Sequence, residues 1–407
     1  MIQFKLKQYL YGTLFLSALL ITACQKDEIT DDTLPGTSAG GTGDVVLNFT
    51  VAGELSAIPD PTDMGADSPE VRNSSISTRT NLPGSDNIQH VNSVQLYIFN
   101  GTSDNAVCVA SEDVGWTAYF GGTAPTVTST LRYRVKYSGL VKDNPYTFLA
   151  VGTDDTSRTT YGFPASIQVN STTLGNAIAT LAGTEATTWT SMRQSEFFAG
   201  ATVLTPSSYG TQGNVNLWRR VAGVMGWFNN VPTLVGPTTV SNIRITLYTQ
   251  QNKRVPLLQR SQTPVFKDYI ASPLAASTGG QVLVQIPVPA GTLPITVLSK
   301  GSYVLPIPAP AAVNLNDYTL KVELTDAGGN VLSSKRVTLS GTDDSNSSTG
   351  GGTGVIDPQG VYRFPIVANR FYGIGTKTSP INMGGSLTRS SSIRATVVTD
   401  WKEVVDK

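Results

Sequence analysis

Short stretches in which apolar and polar residues alternate one for one recur from residue 44 onward, and that pattern leaves few folds open. "DVVLNFTVAG" (44–53) puts Val45, Leu47, Phe49 and Val51 on one side and Val46, Asn48 and Thr50 on the other. Successive side chains of a strand point to opposite faces, so this period predicts a strand buried on one face. "VNSVQLYIFNG" (91–101) and "TLRYRVKYSGL" (130–140) alternate in the same way, while "YTFLAVGT" (146–153) is apolar enough to be central. "SEFFAGATVLT" (195–205) closes the first half, and "NVNLWRRVAGVMGWFNNVP" (214–232) opens the second. "TTVSNIRITLYTQ", "GGQVLVQIPVP", "GVYRFPIVANRFYGIGT" and "SSIRATVVTDWKEV" follow at strand-plus-turn spacing. In "LTDAGGNVL", Gly328-Gly329-Asn330 between two alternating runs predicts a hairpin. "STTLGNAIATLAG" (171–183) spaces Leu174, Ile178 and Leu181 as a helix does, with Gly183 as a stop. Regular short strands without βαβ alternation give a mostly β chain: two antiparallel β-sandwich domains in tandem, 44–210 and 211–407, with one or two short helices.

Composition narrows the chemistry. The 29 basic residues balance 29 acidic ones, so no basic field for nucleic acid is expected. Charged residues make up 14%, against about 25% in ordinary soluble domains. Gly, Ser and Thr fill the difference, as in extracellular β-proteins. His90 is the only histidine, which excludes most His-based metal sites and leaves a Ser-His-Asp device hanging on one residue. Cys108, in "NAVCVAS" between valines, reads as a small buried strand residue rather than a nucleophile. The chain carries no P-loop and no paired zinc-ligand spacing, and scattered acidic residues single out no glycosidase pair. No catalytic residue, metal or cofactor is therefore expected. Asp343-Asp344 lies in the low-complexity stretch 340–354 and lacks the spaced ligands of a calcium loop. Trp116, Trp189, Trp218, Trp227 and Trp401 could stack sugars, but core or edge packing is the better reading of each.

The N-terminus carries an address. Lys5 and Lys7 precede a short apolar run, Leu10 to Ile21, below the roughly 18 residues needed to span a bilayer. Ile21-Thr22-Ala23-Cys24 resembles the lipobox of bacterial lipoproteins, which implies removal of residues 1–23 and acylation of Cys24. Gln25-Lys26-Asp27-Glu28 is similar to the Lys-acidic tag of surface-exported lipoproteins of Bacteroidetes. With Cys24 acylated, no intrachain disulfide is possible. Residues 24–43 read as a flexible tether, rich in Gly, Ser and Thr from residue 29 onward. Residues 54–87, with four prolines, are too long for a mere connection, and Arg79 sits there among small hydroxyl residues in "SSISTRTNLPG". A segment of that kind can enter a trypsin-like cleft without the core unfolding.

The order of these features resembles the type V pilins, the fimbrillin family of Bacteroidetes. "TRTNLPGSDNIQHVNSVQLYIFNG" is similar to the family's Arg segment and first stable strand. "EFFAGATVLT" with "VNLWRRVAGVMGWFNNV" resembles its junction into a second domain, and "IRATVVTDWKEV" its closing strand. The resemblance implies transthyretin-like Greek-key sandwiches and a fimbrial subunit for adhesion. The lipid-anchored precursor sits at the outer membrane and ends in an extracellular fimbrium. A trypsin-like surface protease cuts between Arg79 and Thr80, with Arg72 as second choice. The strand bearing Val45, Leu47, Phe49 and Val51 is displaced. A donor strand (393–405) with Ile393, Ala395, Val397 and Trp401 fills the groove of another fimbrial subunit. A stalk role is favoured over a tip adhesin or an uncleaved anchor. A lipidated, monomeric surface glycan-binding protein is the main rival.

Overall fold

The computed structural model describes residues 43–52, 91–119, 130–183, 190–247, 250–251, 253–258, 275–276, 281–290, 296–307, 320–338, 355–356, 362–364, 366, 368–384 and 392–398. The first half forms β1 (Val45–Ala52), β2 (Ser93–Asn100), β3 (Val107–Asp113), β4 (Thr130–Arg134), β5 (Tyr146–Thr153), β6 (Ile178–Thr180), β7 (Phe197–Leu204) and β8 (Thr211–Arg219). The second forms β9 (Ala222–Asn229), β10 (Leu234–Val235), β11 (Thr238–Thr239), β12 (Asn242–Leu247), β13 (Gln250–Gln251), β14 (Arg254–Pro256), β15 (Ala275–Ala276) and β16 (Gln281–Pro287). It continues with β17 (Leu298–Val304), β18 (Leu320–Thr325), β19 (Val331–Thr338), β20 (Val355–Ile356), β21 (Tyr362–Arg363), β22 (Phe371–Ile374), β23 (Ile381–Asn382), β24 (Ser392–Arg394) and β25 (Thr396–Val398). Among the described residues two short α-helices accompany them, α1 (Trp116–Tyr119) and α2 (Asp155–Tyr161). The chain is mostly β, in sheets of the β-sandwich kind.

One seven-stranded sheet runs β3-β2-β5-β7-β8-β1-β4. It takes in β8, whose residues 211–219 directly precede the Arg219-Arg220 junction. Beyond that junction, β16-β12-β18-β19-β24 forms a five-stranded sheet, and β17-β9-β22-β25 a second one with β23 also on β9. The short pair β14-β6 joins the two halves of the chain.

Burial explains the sequence pattern. β5 is buried at all eight positions because both of its faces are covered. Phe148 and Ala150 enter a small core with Val45, Leu47, Phe49, Val51, Leu96, Ile98, Leu131, Val215 and Leu217. Leu149 and Val151, on the other face, join a larger core that continues into Val224, Ile243, Ile245, Val322, Tyr372 and Ile393. β1 and β4 keep the strict alternation because only one face of each is covered.

The predicted hairpin forms between β18 and β19. Gly329 takes φ +83°, the left-handed region open to glycine, and Asn330 donates backbone and side-chain N–H to the two Asp326 carboxylate oxygens at 2.8 Å. Those donors, the side-chain one first, hold the Asp326 carboxyl below its ordinary value.

The helix expected over 171–183 does not form. A single 3₁₀ turn, Leu174–Asn176, gives way to β6, whose backbone pairs with β14. Leu174, Ala177, Ile178, Ala179 and Leu181 are all buried, on both sides of the chain, where a helix would bury one stripe. The seven-residue helix lies earlier, at α2. Asp154 accepts from Ser157 N–H at 2.6 Å, Ser157 Oγ accepts from Asp154 N–H at 3.0 Å, and Gly162 closes the helix at φ +68°.

Candidate functional site

β1 is held between two partners of opposite sense. It runs parallel to β8, from Val45 opposite Thr211 to Ala52 opposite Trp218, and antiparallel to β4, with Phe49 opposite Leu131. Val45, Leu47, Phe49 and Val51 are at most 2% exposed, so the four residues singled out in the sequence are the ones that fill the small core. The Phe49 ring lies 6.3 Å from that of Tyr133, centroid to centroid. Complete burial of such side chains is worth about 1.5–3 kcal/mol each, so an empty β1 slot would expose on the order of 6–12 kcal/mol of apolar driving force.

Polar groups fix the register on the outer face. Asn48 Nδ2 donates to Asn214 Oδ1 at 3.0 Å, and the Thr50 and Thr130 hydroxyls meet at 3.3 Å. At the entry to β1, Asp44 pairs with Arg134. Gly43 N–H donates to the Ser207 carbonyl at 2.7 Å, and a Cβ on Gly43 would fall 2.2 Å from the Gly210 nitrogen. Only glycine permits that approach.

β4 bonds through its backbone to β1 alone among the described strands. Its far side is gripped from β3, the opposite edge of the sheet, by Glu112. The Tyr133 hydroxyl donates to Glu112 Oε2 at 2.8 Å, Lys136 N–H to Oε2 at 3.1 Å, and Tyr137 N–H to Oε1 at 2.6 Å. Burial first, then the bond to Glu112 and its negative charge, push the Tyr133 hydroxyl well above its ordinary pKa, so it remains a donor. These contacts bring the two edges of the seven-stranded sheet together around the small core. Neither Glu112 nor the pairing of β1 with β8 shows in the sequence, since both join residues far apart along the chain.

At the junction of the halves, Arg219 Nε donates to Glu196 Oε2 at 2.6 Å, both side chains being buried, and its guanidinium lies 5.0 Å over the Phe198 ring. Arg220 donates to the Pro256 carbonyl, and Ala222 opens β9.

The C-terminal segment divides between two sheets. β24 runs parallel to β19 with Ile393 opposite Val337, and β25 runs antiparallel to β22 with Val397 opposite Tyr372. Ala395, at the crossing, donates its N–H to the Thr338 carbonyl at 2.9 Å; Ile393 and Ala395 are buried. Cys24, Arg72, Arg79, Thr80, His90, Trp189, Asp343, Asp344 and Trp401 lie outside the described residues. Trp116 and Trp227 are core residues, and Trp218 is half-buried on β8. Cys108 is fully buried, and burial pushes its thiol up to about 11. Among the described residues no His, Cys, Asp and Glu cluster suited to a metal ion occurs, and no helix is long and apolar enough to cross a membrane.

The fold is that of a mostly β protein with sheets of the β-sandwich kind, and β1 is seated in its small apolar core. Residues 66–406 match the family described as fimbrillin-A associated anchor proteins Mfa1 and Mfa2, and the chain belongs to that family. A candidate polysaccharide-binding protein from Bacteroides thetaiotaomicron is similar at 12% identity and TM-score 0.42, over 83% of this chain and 93% of that one. A candidate adhesin from Bacteroides ovatus is similar at 13% and 0.40, over 86% and 87%. The fimbrial anchor protein Mfa2 from Porphyromonas gingivalis is similar at 13% and 0.39, over 72% and 81%. No curated protein matches the chain.

Proposed function

We propose that this chain is a structural subunit of a surface fimbria, exported as a lipoprotein and polymerised by strand exchange for adhesion. The observation that carries the reading is the seat of β1: one apolar face in the small core, β8 on one side, β4 on the other. In this account Cys24 is acylated and holds the precursor at the outer membrane. A trypsin-like protease cuts between Arg79 and Thr80, or after Arg72. β1 then leaves, taking Val45, Leu47, Phe49 and Val51 out of the core. A strand from another fimbrial subunit, centred on Ile393, Ala395, Val397 and Trp401 within 393–405, fills the slot. Backbone hydrogen bonds supply affinity and alternate side chains supply register. Addition is head to tail and does not close, so a filament grows. The domains in this scheme are 44–210 and 211–407, preceded by the signal 1–23 and tether 24–43.

The family's description favours a second reading, an anchor; in that reading the chain keeps its lipid and its β1. A tip adhesin or a glycan-binding lipoprotein would use the same fold. Protein purified from the cell surface and run on an undenatured gel separates the classes. A stalk subunit gives a ladder. A single band rules out the strand-exchange polymer and leaves the anchor or the glycan-binding role.

A further inference from the structure

β1 is the sole backbone partner of β4 among the described strands. When β1 leaves, the β4 wall of the slot loses its ladder, the Val135 N–H bond to the Val45 carbonyl and the Phe49–Tyr133 ring contact together. Among the described residues, what still ties β4 to the sheet is mainly the packing of Leu131 and Tyr133 and the three bonds accepted by Glu112. Glu112 belongs to β3, which pairs with β2 and is untouched by the departure of β1. We propose that the Glu112 carboxylate is a positioning latch that keeps β4 standing while the slot is empty, so that an incoming strand meets two walls rather than one. The walls must stay two inter-strand spacings apart, about 9.5 Å, for a strand to bond on both sides at once. A wall that collapses into the exposed core closes the slot; a wall that frays offers pairing on β8 alone. A carboxylate suits the task because one side chain accepts from a hydroxyl and two consecutive N–H groups, and ionised acceptors make the stronger bonds. The inference rests on the strand-exchange reading above.

β4 carries its own probe. Arg132, Arg134 and Lys136 are exposed trypsin sites on or just after the strand. The full-length protein and its Glu112→Ala variant are cut in the 53–90 segment with trypsin. The fragment bearing residues 45–52 is then removed by gel filtration in mild denaturant. The β1-free proteins are returned to buffer and exposed to trypsin again, with cleavage at 132–136 followed by mass spectrometry. Intact precursors should resist alike, because β1 holds β4 in both. The β1-free variant should be cut on the order of tenfold faster than the β1-free wild type and should capture a synthetic 44–53 peptide correspondingly more slowly. Glu112→Gln, which keeps one acceptor oxygen, and Tyr133→Phe, which removes one donor, should fall between; they replace Glu112→Ala if it does not fold. Equal cleavage of the two β1-free proteins overturns the latch and leaves strand exchange standing. Equal loss of resistance in the intact variant also overturns it, since the residue is then a general structural tie. A 45–52 fragment that cannot be displaced from the wild type overturns both.

Discussion

Glu196 and Arg219 form a charged pair sealed inside the protein, where each carboxylate and guanidinium has lost its water. Removing one partner takes from the other its opposite charge in a buried setting, which costs about 3–5 kcal/mol. Glu196→Ala should therefore lower the unfolding free energy by that amount in an equilibrium urea titration. Cys108 makes a second residue-scale prediction. Its thiol ionises near 9.0 when free and near about 11 in the fold, so between those values the unfolded chain binds fewer protons than the folded one. The Cys108 contribution to stability is complete below pH 9 and falls as pH rises towards 11. In a Cys24→Ser background, maleimide labelling at pH 8 should be slow in the native protein and fast in urea, and Cys108→Ala should reduce the alkaline loss of stability. At this scale the sequence was readable where one face decides a residue's fate: Val45, Leu47, Phe49 and Val51 alternate because only one side of β1 is covered. It was silent on Glu112, because nothing near "ASEDVGW" announces a tyrosine and two amides some two dozen residues away in sequence.

The elements carry the same distinction. Phe49→Ala should destabilise the uncut precursor by about 3–5 kcal/mol, while Val46→Ala on the half-exposed face should cost less than about 1, both read by thermal or urea unfolding. Gly43→Val should weaken the hold on the start of β1, because any Cβ there meets the Gly210 backbone; faster hydrogen exchange confined to residues 44–48 is the expected signature. β5 was legible as central from its unbroken apolar run, and the β18–β19 hairpin from its Gly-Gly-Asn turn. The 171–183 segment misled because Leu174, Ile178 and Leu181 fit a helical stripe, yet Ala177 and Ala179 between them are buried as well, which β6 allows and a surface helix does not. The helix at α2 offered only local signals, the Asp154–Ser157 box and Gly162, in a run of hydroxyl residues poor in helix formers. The closing segment alternates from Ile393 to Val397, but tertiary pairing splits it at Ala395 between two sheets.

For the whole molecule, the sequence conveyed the β class and the family through the order of its parts. It could not convey that β8 pairs with β1, because a parallel partner lying about 166 residues away leaves no local trace. The seat of β1 in the middle of a run of strands, rather than at an edge, gives the proposed mechanism its physical sense: its loss opens a slot with two walls. Every later step depends on β1 being absent from the assembled protein. The most direct measurement is the N-terminal sequence of the protein sheared from the cell surface. The account predicts a start at Thr80, with residues 24–79 gone. A start at acylated Cys24 would contradict it, and would leave an anchor or a glycan-binding lipoprotein, keeping both its lipid and its first strand, as the better account.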